Sequence, residues 1–173
     1  LFVDAPVTCL REPLQADSLC MDNQSGIGSF IGEMARRGKT RIGFIGEAMH
    51  CLSFFERYMA YRNAMYLTGL GCPEEYCIIR NKEGIRNPSS EEYQEYLAES
   101  FQQLPQLPEV LLCANDFVAL DALQVLKKSG YSVPEDVWLC GFDDSPESKI
   151  VTPTLTTIHI HSQIMGFSAV NLL

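Results

Sequence analysis

Two short apolar runs constrain this chain more than anything else in it: VLLC at 110–113 and VWLC at 137–140. Each is too short for a core helix and apolar enough for a strand buried on both faces. Between them Ala119, Ala122, Leu123 and Leu126 recur at helical spacing. Asp116 suits the N-cap of that helix, Lys127 and Lys128 suit its last turn, and Gly130 suits its C′ position. Pro134 blocks any continuation. Strand, helix of about four turns and second strand together predict a parallel βαβ unit. Both strands of such a unit run the same way, so Asn115 and the pair Asp143 and Asp144 are expected at one edge of the sheet. That edge, beyond the strand C-termini, is where open α/β sheets hold ligands.

A chain of 173 residues can bury one sizeable core. Its net charge of -9 argues against gripping a bare phosphate backbone, which needs a positive surface. No apolar run approaches the ~20 residues of a membrane span, and no basic, apolar, small-residue signal opens the chain. It starts in mid-pattern at Leu1, Phe2 and Val3 without a methionine, which reads as a piece of a longer protein. Seven cysteines form no CxxC pair and leave an odd one over. Buried free thiols in a reducing cytosol fit that pattern better than disulfides or a metal.

The other segments follow the same alternation. Residues 1–22 read as two short strands, near 6–10 and 18–21, joined by a polar turn with Glu12 and Pro13. Ile27, Phe30, Ile31, Met34 and Ala35 form one face of a helix ended by Arg36, Arg37 and Gly38. A buried strand follows at 41–45, then a polar loop with Ser53 and a helix over about 55–67. Residues 76–79 are expected as a strand and 80–88 as a charged loop. Ser89 and Glu92 make a capping box for a helix whose buried face is Tyr93, Tyr96, Leu97, Phe101 and Leu104. After Asp144 a loop through Pro146 and Pro153 leads to 155–158, and a last amphipathic helix starts near Ser162. Strict alternation from about residue 23 predicts a doubly wound parallel α/β sheet with helices on both faces.

Three polar groups from remote segments are expected on one rim. Arg57 follows one strand, and Asn115 and Asp143 end two others. A guanidinium, an amide and a carboxylate supply planar forks of donors and acceptors, which suit the vicinal hydroxyls of a sugar or ribose. Each also has a plainer reading: a helix cap for Asn115 and Asp116, a loop acid for Asp143 and Asp144, a surface ion pair for Arg57, a loop residue for Ser53. Gly43-Phe44-Ile45-Gly46 lacks the spacing of a dinucleotide fingerprint. His159 and His161 share one side of a strand but have no Cys or acidic partner in the pattern, so no metal is expected there. No serine sits in a nucleophile elbow and no cysteine has a nucleophile's context, which reads as a binding protein and not an enzyme.

MDNQSG at 21–26, RGKTRIGFIG at 37–46, AND at 114–116, VPEDV at 133–137, GFDD at 141–144 and PTLTTI at 153–158 resemble, in order and spacing, the lactose/galactose repressor family of bacterial transcription regulators. The resemblance implies a periplasmic-binding-protein-like sensor of two lobes with a small-molecule effector in the cleft. Residues 1–22 would be a fragment of the N-terminal lobe, 23–154 the C-terminal lobe, and 155–173 the crossover and start of the helix returning to the N-terminal lobe. The family's effector-gripping positions match Arg57, Ser53, Asn115 and Asp143, which commonly hold hydroxyls of sugars or nucleosides. Arg57→Ala or Asp143→Ala is then expected to cut effector affinity with the fold intact. No cofactor and no membrane are implied. The family acts in the cytoplasm as homodimers and touches DNA only through an N-terminal helix-turn-helix, which this stretch lacks. The segment 84–88 has no aromatic residue where the family often stacks one on a sugar ring. Two other functions share parts of the pattern. One is an extracytoplasmic solute-binding protein of a transporter, told apart by the upstream sequence. The other is a receiver-like module holding magnesium on Asp116, Asp143 and Asp144.

Overall fold

Four short strands pair side by side in parallel and set the frame of the molecule. The computed structural model describes residues 1–3, 16–71, 74–80 and 90–173. In chain order its elements are β1 (Phe2–Val3), β2 (Ser18–Leu19), α1 (Ser25–Arg36), β3 (Ile42–Ile45), α2 (Leu52–Leu67), α3 (Ser90–Gln103), β4 (Val110–Cys113), α4 (Asp116–Lys128), β5 (Trp138–Asp143), α5 (Pro146–Ile150), β6 (Thr156–His159) and α6 (Ser162–Leu172). A single 3₁₀ turn, Glu74–Tyr76, lies between α2 and α3. The sheet order is β3-β4-β5-β6, and β1 pairs with β2 in a separate parallel ribbon.

The apolar runs are strands because both of their faces are covered. Ile42, Phe44, Val110, Leu112, Cys140 and Phe142 pack with Ile27, Ile31 and Met34 of α1 and with Tyr61 and Met65 of α2. The alternate residues Ile45, Leu111, Cys113 and Leu139 pack with Leu97 of α3 and with Ala119, Ala122, Leu123 and Leu126 of α4. The period of two thus survives inside runs that are apolar throughout. Removing such side chains from water stabilises the layers by roughly 1.5–3 kcal/mol each.

Several expectations need correcting. The helix expected over 55–67 starts at Leu52, so Ser53 lies in its first turn and not in a loop. Residues 76–79 do not form a full strand. A single parallel bridge, Ile45 to Ile78, flanks the edge of β3, supported by Ile78 N–H to Phe44 O at 2.8 Å and Gly46 N–H to Ile78 O at 2.9 Å. The loop after Asp144 contains α5, where Ser145 caps a helix with Pro146 in its first turn. Thr156–His159, at the start of the stretch assigned to the crossover, form β6, the fourth strand of the sheet, before the chain leaves it. The strand expected near 6–10, the loop 81–88 and the capping role of Ser89 lie outside the described residues.

Candidate functional site

Parallel register brings the ends of β3, β4, β5 and β6 to one edge, with Ile45 beside Cys113 and Asp143 beside His159. Just past that edge a pocket of about 390 Å³ is lined by Met21, Cys51, Ser53, Phe54, Arg57, Asn115, Asp143 and Ile160. All four residues that sequence reasoning placed at a site therefore share one pocket. Met21 comes from the connection between β2 and α1, and Ile160 from the one between β6 and α6, so both connections reach it.

Arg57, in the second turn of α2, is only 3% exposed, which removes the surface ion pair as its role. Its Nη1 donates to the carbonyl oxygen of Ala114 at 2.7 Å, its Nη2 to Asp143 Oδ1 at 3.3 Å and Met21 Sδ at 3.1 Å, and its Nε to Asn23 Oδ1 at 2.9 Å. The guanidinium carbon stands 3.7 Å from the Phe142 ring centroid, a cation–π contact out of water. Arg57→Ala would take donors from the Ala114 carbonyl, from Asn23 and from Asp143, so a loss of stability is expected beside any loss of effector affinity.

Asp143 ends β5 with φ +109, and Asp144 follows at φ +54. Such values are strained for residues with a side chain, and strain of this kind gathers at ligand sites. The bend separates the two acids. Asp143 faces Arg57, whereas Asp144 Oδ2 meets His159 Nδ1 at 2.7 Å and Lys149 Nζ at 3.1 Å. Hydrogen bonds from His159 and then Lys149 hold the Asp144 carboxyl below the usual aspartate range.

Asn115, not Asp116, caps α4: its Oδ1 accepts the Val118 N–H at 2.9 Å. The cap engages the amide oxygen, so the NH₂ remains as a donor at the pocket that Asn115 lines. Asp116 is fully buried instead. It accepts from Thr157 Oγ1 at 2.5 Å and from the Ser145 N–H at 2.7 Å, tying α4 to β6 and to the turn after β5. Asp116, Asp143 and Asp144 thus face three different sets of partners, which dismantles the receiver-like alternative. Among the described residues no group of three His, Cys, Asp or Glu side chains could hold a metal ion. His159 and His161 do approach, with ring centroids 4.9 Å apart. The described cysteines are free, and burial pushes the thiols of Cys113 and Cys140 up, so both stay neutral.

Sequence reasoning missed Asn23, Glu56, Phe54 and Met21. Asn23 and Met21 do stand in the 21–26 block, but nothing local says that they reach Arg57. No described helix is long and apolar enough to cross a membrane.

Comparisons with known proteins agree with this architecture. The model of the periplasmic binding protein-like domain matches residues 31–173. The HTH-type transcriptional repressor PurR of Haemophilus influenzae (strain PittEE) is 29% identical over 99% of this chain and 50% of its own length. PurR of Actinobacillus pleuropneumoniae serotype 3 is 31% identical over 81% of this chain and 40% of its own. The chain spans about half the length of the curated relatives it matches. Among solved structures, the transcriptional regulator CelR in complex with cellobiose is 26% identical with a TM-score of 0.80, covering 95% of this chain and 48% of that one. The Escherichia coli transcriptional repressor ascG, at 23% identity and TM-score 0.74 over 89% of this chain and 54% of its own, shares the fold.

Proposed function

Because the chain belongs to the periplasmic binding protein-like domain family, as an effector-binding domain of the LacI/GalR type, we propose that it senses a small polar effector for a DNA-binding transcription regulator. The effector is of sugar or nucleoside type and sits in a cleft between two lobes. Residues 23–154 together with β6 form the C-terminal lobe, 1–22 belong to the N-terminal lobe, and the chain after β6 crosses back to it. The reading is carried by the pocket at the strand ends, where Arg57, Asn115, Asp143 and Ser53 meet residues from both crossing segments. PurR relatives favour a cytoplasmic regulator over a transporter's solute-binding protein, and the bound cellobiose of CelR favours a sugar.

Arg57 and Asp143 supply donors and acceptors for hydroxyls, Asn115 donates, and Phe54, Met21 and Ile160 cover apolar faces. The ligand closes the lobes only if it binds the closed form better, and closure then resets the spacing of two DNA-binding heads in a homodimer. A thermal-shift screen of sugars and nucleosides on the full-length protein is expected to return a stabilising hit. With that hit, Asp143→Asn and Arg57→Lys are expected to lower affinity by roughly ten- to a hundredfold, since each weakens a charged hydrogen bond of about 1.5–3 kcal/mol. Unchanged titrations in both folded variants would remove the site.

A further inference from the structure

We infer that Glu56 is a positioning residue for Arg57, acting through Asn23; the inference rests on Arg57 being the effector contact. Glu56 precedes Arg57 on α2, and the two side chains are linked through Asn23, which lies between β2 and α1. Asn23 Nδ2 donates to Glu56 Oε2 at 2.7 Å, and Arg57 Nε donates to Asn23 Oδ1 at 2.9 Å.

The chemistry gives this chain one direction. A guanidinium only donates and a carboxylate only accepts, so the amide between them must turn its oxygen to Arg57 and its nitrogen to Glu56. Asn23 is 3% exposed, so bulk water is poorly placed to substitute for either neighbour. The other contacts hold the two Nη atoms from the ends of β4 and β5. Asn23 holds Nε from the first crossing segment, and holds on all three nitrogens fix both the plane and the direction of the guanidinium. Met21 adds a contact to Nη2 from the same segment. Movement of that segment is therefore passed to the group that faces the pocket.

Reversing the polarity of Glu56 tests the relay. Lysine at 56 only donates, so Glu56→Lys asks Asn23 to turn its oxygen away and present NH₂ to the Nε–H. Glu56→Gln can still accept and is expected to be tolerated. Glu56→Lys combined with Asn23→Asp restores an acceptor toward both neighbours. The readout is the Nε–H signal of Arg57 in ligand-free full-length protein labelled with ¹⁵N at arginine, assigned by its loss in Arg57→Lys. In Glu56→Lys that signal is expected to shift and exchange with water roughly three- to tenfold faster, the fold-change of one ordinary hydrogen bond. Glu56→Gln and the double variant are expected to return to the parent position. If Glu56→Lys fails to fold, Glu56→Leu is expected to shift the signal less but in the same direction. A parent-like signal in folded Glu56→Lys, or in Glu56→Leu, overturns the relay. No effector is used, so that failure is separate from a failure of the binding titrations.

Discussion

Arg57 owes its place to a fold-dependent set of partners. Ala114, Asn23 and Asp143 are 57, 34 and 86 positions away in sequence, so no local pattern could announce them. The same holds for Gly141 in the GFDD block. A Cβ there would stand 2.1 Å from Asp116 Oδ1, and that carboxylate is already pinned by Thr157 and Ser145. Gly141→Ala is therefore expected to destabilise the chain by about 1–3 kcal/mol, the range of an overpacked core, read as a lower denaturant midpoint with an unchanged slope. Thr157→Val, which frees the carboxylate from one partner, is expected to soften the clash in the double variant.

At the scale of elements, α4 shows one residue serving both structure and site. Sequence left Asn115 between a cap and a pocket residue, and the structure gives it both, because capping takes only the amide oxygen. The two roles separate by substitution. Asn115→Ala is expected to lose about 0.5–2 kcal/mol of stability together with effector affinity. Asn115→Asp keeps an N-cap acceptor and is expected to preserve the melting temperature, while affinity falls because the donor is gone. Paired melts and titrations of the two variants check this. Three of the helices were legible by their 3.6 period, α1, α3 and α4. By contrast α2 and α6 carry almost none, against the amphipathic face expected of the last helix, and the five-residue α5 is too short to show one.

Across the whole molecule, one sheet with two helical layers is well covered, and the two ends of the chain are not. In α6, Ile164, Phe167, Val170 and Leu172 are exposed, and none of its residues is buried. Phe2 and Val3 of the β1–β2 ribbon are exposed as well. Under the proposed two-lobe reading these surfaces meet in the N-terminal lobe. Amide exchange in α6 is expected to be fast in the 173-residue chain and at least about a hundredfold slower in the longer protein, where burying two or three such side chains resists local opening. Equal rates in both would detach α6 from that lobe.

The sequence by itself determined the parallel βαβ order, most of the helix limits and the strand-end edge. All of these follow from periodicity and from turn residues, which act over a few positions. It also brought forward Arg57, Ser53, Asn115 and Asp143. Only the tertiary structure decided that Asp116 is a buried brace and not a cap, that Asp143 and Asp144 point apart, and that Asn23 and Glu56 stand behind Arg57. Those outcomes turn on which donor meets which acceptor across dozens of residues, and a hydrogen bond reads distance in space and not along the chain.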